Sequence, residues 1–124
     1  MSGTRYAILR HEGVADPHYD LMFQTEPDGM LATWRLNAWR PTGAMPAEKL
    51  PDHRQAYLTF EGEISGGRGR VKRVEQGICR ATRSADGAWD VLLDPQPSGE
   101  KLILRLQPAF GDRWICELGA INGE

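Results

Sequence analysis

Tight-turn sequences that recur between short apolar stretches constrain this chain more than any other feature. Pro27-Asp28-Gly29, Ser65-Gly66-Gly67, Glu75-Gln76-Gly77, Asp86-Gly87, Pro97-Ser98-Gly99 and Gly111-Asp112 all favour φ > 0 or an abrupt reversal. Spacings of roughly 8–12 residues suit strands and are short for stable helices. The strands expected are Tyr6–Arg10, Tyr19–Gln24, Met30–Leu36, Ala56–Gly62, Arg70–Val74, Ile78–Arg83, Trp89–Leu93, Lys101–Leu106 and Trp114–Leu118. The only helical candidate is a brief turn around Pro46-Ala47-Glu48-Lys49.

Period-2 alternation is clearest near the end. Leu102, Leu104 and Leu106 share a face opposite Lys101 and Arg105, and Trp114, Cys116 and Leu118 oppose Arg113 and Glu117. Strands with one wet side, many in number, point to an all-β fold. Closure into a single antiparallel β-barrel with very little helix is favoured because it hides sheet edges. A chain of 124 residues suits one domain over residues 1–124.

The apolar fraction of 40% and charged fraction of 26% are those of a globular protein, which disfavours disorder. A net charge of -2 argues against a protein that coats nucleic acid by bulk charge, so a polyanion must be met locally. Arg68, Arg70, Lys72, Arg73, Arg80 and Arg83, opposed only by Glu75, supply one such locality. No signal-peptide core or bilayer-length apolar run is present, so a cytoplasmic protein without a membrane partner is expected. Cys79 and Cys116 fit no zinc or disulfide spacing and are expected in the core.

The chemistry concentrates in the first half, where all 3 histidines lie. Two of them stand in His11-Glu12-Gly13-Val14-Ala15-Asp16-Pro17-His18-Tyr19-Asp20. Imidazole nitrogen and carboxylate oxygen are common ligands of a catalytic divalent ion. On a strand, His18 and Asp20 project to one face, and Gly13 and Pro17 let the loop bring His11 beside them. Spacing alone leaves a second reading open, in which these histidines are surface or hydrogen-bonded residues.

The segment Tyr6-Ala7-Ile8-Leu9-Arg10-His11, continued at His18-Tyr19-Asp20-Leu21, resembles the opening motif of the 3′-phosphoesterase domain at the N-terminus of bacterial ligase D, the end-joining DNA ligase. Leu31-Ala32-Thr33-Trp34 is similar to that family's strand ending in Ser-Trp. Asp52-His53-Arg54-Gln55-Ala56-Tyr57-Leu58-Thr59-Phe60-Glu61-Gly62 is similar to its Asp-His-Pro, Tyr and Phe-Glu-Gly element. Ile64 to Val71 resembles its Gly-rich turn, and Gly99-Glu100-Lys101-Leu102 with Gly111-Asp112-Arg113-Trp114 resembles its final hairpin.

The resemblance implies a β-barrel whose His11, His18 and Asp20 hold a divalent metal, manganese by preference with zinc or cobalt as alternatives. It makes His53 a phosphate-contacting catalytic residue and Tyr57 a supporting hydroxyl. The partner implied is a nucleic-acid 3′ end, primer-template DNA or RNA-tipped DNA, from which a 3′-phosphate or 3′-ribonucleotide is removed during repair by non-homologous end joining. Arg54, Arg68 and Arg70 are expected to bind the substrate. No ligase or polymerase module accompanies the motif, so repair proteins supplied in trans are expected as partners.

The pattern is incomplete. Met22 stands where the family has Arg, Leu9 where it has Gln, and Asn37 and Ala38 where a Lys is expected; the interval from His11 to His18 is one residue longer. Either Arg35, Arg40, Lys49 or Arg54 grips phosphate from another direction, or activity is reduced. The alternative function is therefore a non-catalytic module that binds nucleic acid or a repair partner through the same barrel.

Other features have plainer accounts. Arg68, Arg70 and Lys72 alternate as a phosphate-tracking strand face would, or as a charged edge strand. Gly66-Gly67-Arg68-Gly69 lacks the ending of a P-loop and reads as a hairpin turn. Trp34, Trp89 and Trp114 are expected in the core, with Trp39 the one candidate for an exposed base-stacking platform. Glu61 reads either as a carboxylate supporting the site or as one holding a turn.

Overall fold

A computed structural model describes residues 3–40 and 42–120. The strands are β1 (Thr4–Glu12), β2 (His18–Gln24), β3 (Leu31–Leu36), β4 (Ala44–His53), β5 (Gly62–Glu63), β6 (Arg70–Arg83), β7 (Trp89–Pro95), β8 (Leu102–Phe110) and β9 (Arg113–Ala120). All pairings are antiparallel. The sheet runs β1-β2-β3-β4-β9-β8-β7-β6, and β6 pairs back onto β1, so eight strands close a barrel and the all-β expectation holds. Short β5 adds to the start of β6. No helix in the described residues is long and apolar enough to cross a membrane.

Eight strands leave an interior that side chains can just fill. All eight contribute to it: Tyr6, Ile8, Leu21, Phe23, Trp34, Ala47, Cys79, Val91, Leu93, Leu104, Leu106, Trp114 and Cys116 form one buried cluster. Phe23 stacks on Trp34 at 5.4 Å between centroids, and Trp34 meets Trp114 edge-on at 5.2 Å. Both cysteines are buried as expected. Trp39 packs partly buried against the same core, and its indole N–H donates to Glu75 Oε1 at 3.0 Å, so it offers no free stacking platform.

A second buried cluster lies on the outside. Residues alternating with the interior set, Ala7 and Leu9 on β1 and Met22 on β2, meet Leu31, Val71 and Leu58. Leu58 comes from the segment joining β4 to β6, which crosses the outer face as a cover.

Three local expectations are corrected. Pro46-Ala47-Glu48-Lys49 is extended within β4, where pairing to β3 on one side and β9 on the other outweighs one marginal helical turn. Ala56–Gly62 is not a strand. Gln55–Leu58 forms a 3₁₀ turn, closed by Tyr57 N–H to Arg54 O at 3.0 Å and Thr59 N–H to Ala56 O at 3.2 Å, because only Leu58 is buried there. Glu75-Gln76-Gly77 is no turn, since Arg70–Arg83 is a single 14-residue strand. Gly77 pairs with Tyr6 and Pro95, and a Cβ there would collide with the Asp94 carbonyl, so the glycine permits close strand approach instead of reversal. The Gly66–Gly69 hairpin turn is present, closed by Ile64 N–H to Gly69 O at 2.8 Å.

Candidate metal centre

β1 and β2 leave the barrel end in register, His11 directly opposite His18 and Leu9 opposite Asp20. Cross-strand partners share a face, and His18 and Asp20 share one at i and i+2, so all three side chains lie on the outer face above the second cluster. His11, His18 and Asp20 each offer a ligand atom within 4.8 Å of the other two. The imidazoles meet edge-on, 4.9 Å between centroids.

The hydrogen bonds fix which ring nitrogen carries a proton. His18 Nδ1 lies 2.8 Å from the Asp16 carbonyl and His11 Nε2 lies 2.8 Å from the Arg68 carbonyl. A carbonyl only accepts, so each of these nitrogens is the donor, and in the neutral ring the other nitrogen keeps its lone pair. Metal-binding histidines characteristically donate their second N–H in this way. His18 Nε2 then faces Asp20 Oδ1 at 3.3 Å, an oxygen that is buried without a hydrogen bond. Two acceptors held face to face at 7% and 5% residue exposure call for a cation between them. Without an ion, a proton on His18 Nε2 would fill that role. The adjacent Asp20 carboxylate raises the His18 pKa above its ordinary value, opposed by burial and assisted by the Asp16 carbonyl, with Arg35 acting against it. An N₂O donor set with an orphaned carboxylate oxygen fits a divalent ion.

Gly13 and Gly69 make the second bond to His11 possible. Both have φ > 0, at 75° and 83°, and a Cβ on Gly69 would run into the Glu12 carbonyl. Their backbones therefore touch, which brings the Arg68 carbonyl over His11.

The triad forms one wall of a cleft of about 240 Å³, and His53, Tyr57, Arg68, Leu50, Ile64 and Val71 complete it. His53 arrives from the end of β4, opposite Leu31, with Nδ1–H donating to the Pro51 carbonyl at 2.9 Å. Its ring meets Tyr57 edge-on at 5.5 Å. Arg68 is anchored by Nε–H to the Ser65 carbonyl at 2.8 Å. Arg54 lies beside this cleft, in an adjoining trough with Tyr57 and Arg68. Arg70 does not line the cleft; it lies on the exposed side of β6 with its guanidinium 3.6 Å from Glu12. Arg68 precedes β6, so the expected strand face of Arg68, Arg70 and Lys72 reduces to the exposed pair Arg70 and Lys72.

Of the four cations that the resemblance offers as substitute phosphate ligands, Arg35 pairs with Asp16, Arg40 with Glu75 and Lys49 with Asp52. Arg54 alone of these has no acidic partner among the described residues. Leu9 and Met22 are fully buried and form the apolar floor of the region. Glu61 accepts the Arg73 backbone N–H at 2.7 Å and so holds the cover to β6 instead of entering the cleft. Ile64 and Phe60, which sequence reading passed over, belong to this cover; their signal was only the placement of apolar residues around a Gly-rich turn.

The chain matches no protein-family model, and no curated protein matches it in sequence.

Proposed function

We propose that this protein is a metal-dependent phosphoesterase acting on the 3′ ends of nucleic acid, removing a 3′-phosphate or 3′-ribonucleotide in DNA repair. The observation that carries the reading is one cleft containing both an N₂O metal triad and a third histidine with an arginine and a tyrosine. The sequence resemblance to the ligase D 3′-phosphoesterase domain runs through these same residues.

Bound by His11, His18 and Asp20, a divalent ion would polarise a phosphoryl oxygen or lower the pKa of water. Manganese is the metal the resemblance favours. Arg68 supplies charge to the phosphate, and Tyr57 a hydroxyl. His53 acts on the phosphate as proton donor to the leaving oxygen. Leu50, Ile64 and Val71 keep the wall apolar and strengthen these interactions.

With manganese, the protein should release phosphate from a primer ending in 3′-phosphate, or shorten one ending in a ribonucleotide. His53→Ala should abolish turnover and leave metal affinity largely intact, whereas His18→Ala should remove both. The floor of Leu9 and Met22 favours the second reading, a non-catalytic nucleic-acid-binding module, because two polar positions of the resembled family are apolar and buried. A protein that binds manganese and primer-template DNA yet gives no product above the His53→Ala background establishes that second reading.

A further inference from the structure

The cleft does not end at Tyr57. A trough of about 330 Å³ continues from it, sharing Tyr57, Ile64 and Arg68 as common walls and adding Arg54, Phe60 and Glu63. Tyr57 joins the two: it meets His53 of the cleft edge-on at 5.5 Å and Phe60 of the trough edge-on at 5.7 Å between centroids. Phe60 is 36% exposed, while Leu58 two residues before it is buried. Neither Arg54 nor Arg68 has an acidic partner among the described residues, and Glu63 is the single acidic group of the trough. An exposed aromatic ring beside two arginines suits a ligand that joins flat rings to phosphates, which is a nucleotide strand.

We propose that this trough is a nucleobase subsite: Phe60 stacks the base of the nucleotide whose 3′ phosphoester reaches the metal centre, Tyr57 borders that base edge-on to Phe60, and Arg54 takes the phosphate on its 5′ side. The subsite rests on the nucleic-acid reading above and adds to it a base requirement at the terminal position. Recognition through ring faces tolerates any base but not its absence. The arrangement also fixes direction, since the metal triad takes the end of the strand and Arg54 the chain leading to it.

The test uses the full chain in chelator, where no turnover competes. A 3′-phosphorylated oligonucleotide with 2-aminopurine at its terminal position is titrated alongside the same oligonucleotide with an abasic terminal nucleotide. Stacking should quench the 2-aminopurine, and the base-containing probe should bind roughly tenfold more tightly. Phe60→Ala should erase that preference and Phe60→Trp should keep it; thermal melting of both variants shows that the exposed position leaves the fold intact. Equal binding of the two probes by the wild-type protein, or no binding of either, overturns the subsite. Hydrolysis of p-nitrophenyl phosphate with manganese separates the outcomes, because it needs the metal centre and no base. Turnover there with no base preference leaves the phosphoesterase reading intact without the subsite, and a base preference without turnover does the reverse.

Discussion

Asp20→Asn should change the sign of its effect on stability with pH and with metal, and the reason lies in one oxygen. Asp20 is 5% exposed, and its Oδ1 has no hydrogen-bond partner, facing His18 Nε2 at 3.3 Å. Leaving such a group unsatisfied costs about 1–3 kcal/mol, more when it is charged. The His18 pKa is raised above 6.5, chiefly by Asp20. A raised folded-state value means the ion pair stabilises the fold fully below the unfolded value, and that contribution is lost as pH rises through the folded value. At about pH 5.5, in chelator, Asp20→Asn should therefore lower Tm. At about pH 8.5 the wild type holds an unpaired buried carboxylate, and the neutral amide, able to donate to His18 Nε2, should raise Tm by about 3–5 °C for a gain near 1 kcal/mol. Manganese at about 100 times its Kd should then stabilise the wild type by about 2.7 kcal/mol and the variant far less. Differential scanning fluorimetry at the two pH values, with and without metal, reads all four states. A variant that is less stable at both pH values and still responds fully to manganese would refute the assignment of Asp20 as a ligand oxygen.

Gly69→Ala should drive the Gly-rich turn away from Glu12, cost about 1–3 kcal/mol at this positive φ, and weaken manganese binding as His11 loses the Arg68 carbonyl; isothermal titration measures it. Met22→Arg restores the resembled family's cation at a wholly buried position, so turnover per folded molecule should rise while Tm falls by several degrees, read by phosphate release and fluorimetry. Burial holds the Cys79 thiol above its ordinary pKa and, with Glu117 adding to it, pushes Cys116 up to about 12. Both should resist alkylation near neutral pH in the native protein and react promptly in denaturant, as mass spectrometry would show.

The sequence reveals most where local pattern and tertiary demand agree. β8 and β9 alternate strictly because one face lines the barrel, and their positions follow directly from Leu102, Leu104, Leu106, Trp114 and Cys116. The metal triad is equally visible, since its members lie within one hairpin whose register needs no distant contact. Failures cluster where a remote partner decides. Pro46 and Pro51 disguise β4, which is held on one side by β9, far along the chain. Tyr57, Leu58 and Phe60 have strand-like composition, yet only Leu58 is buried, with Tyr57 packed partly buried beside it, so the segment coils into a 3₁₀ turn. Gly77 signals a turn locally and serves close packing against Asp94 instead. That His53 would meet His11 at all depends on a cover whose docking is a tertiary event.

That the triad sits on the outer wall, separate from the Trp34 core, makes the barrel and its chemistry two nearly independent objects. The interior cluster contains no member of the triad, while the cover from Arg54 to Gly69 is tied to the wall through a few groups, among them Leu58, Glu61 and the Arg68 carbonyl over His11. Ion binding at His11, His18 and Asp20 would therefore tighten the β1–β2 hairpin first and reach the cover through the Arg68 carbonyl over His11. Substitutions on that wall therefore reach the triad and the cover while the side chains packed around Trp34 inside the barrel keep their neighbours.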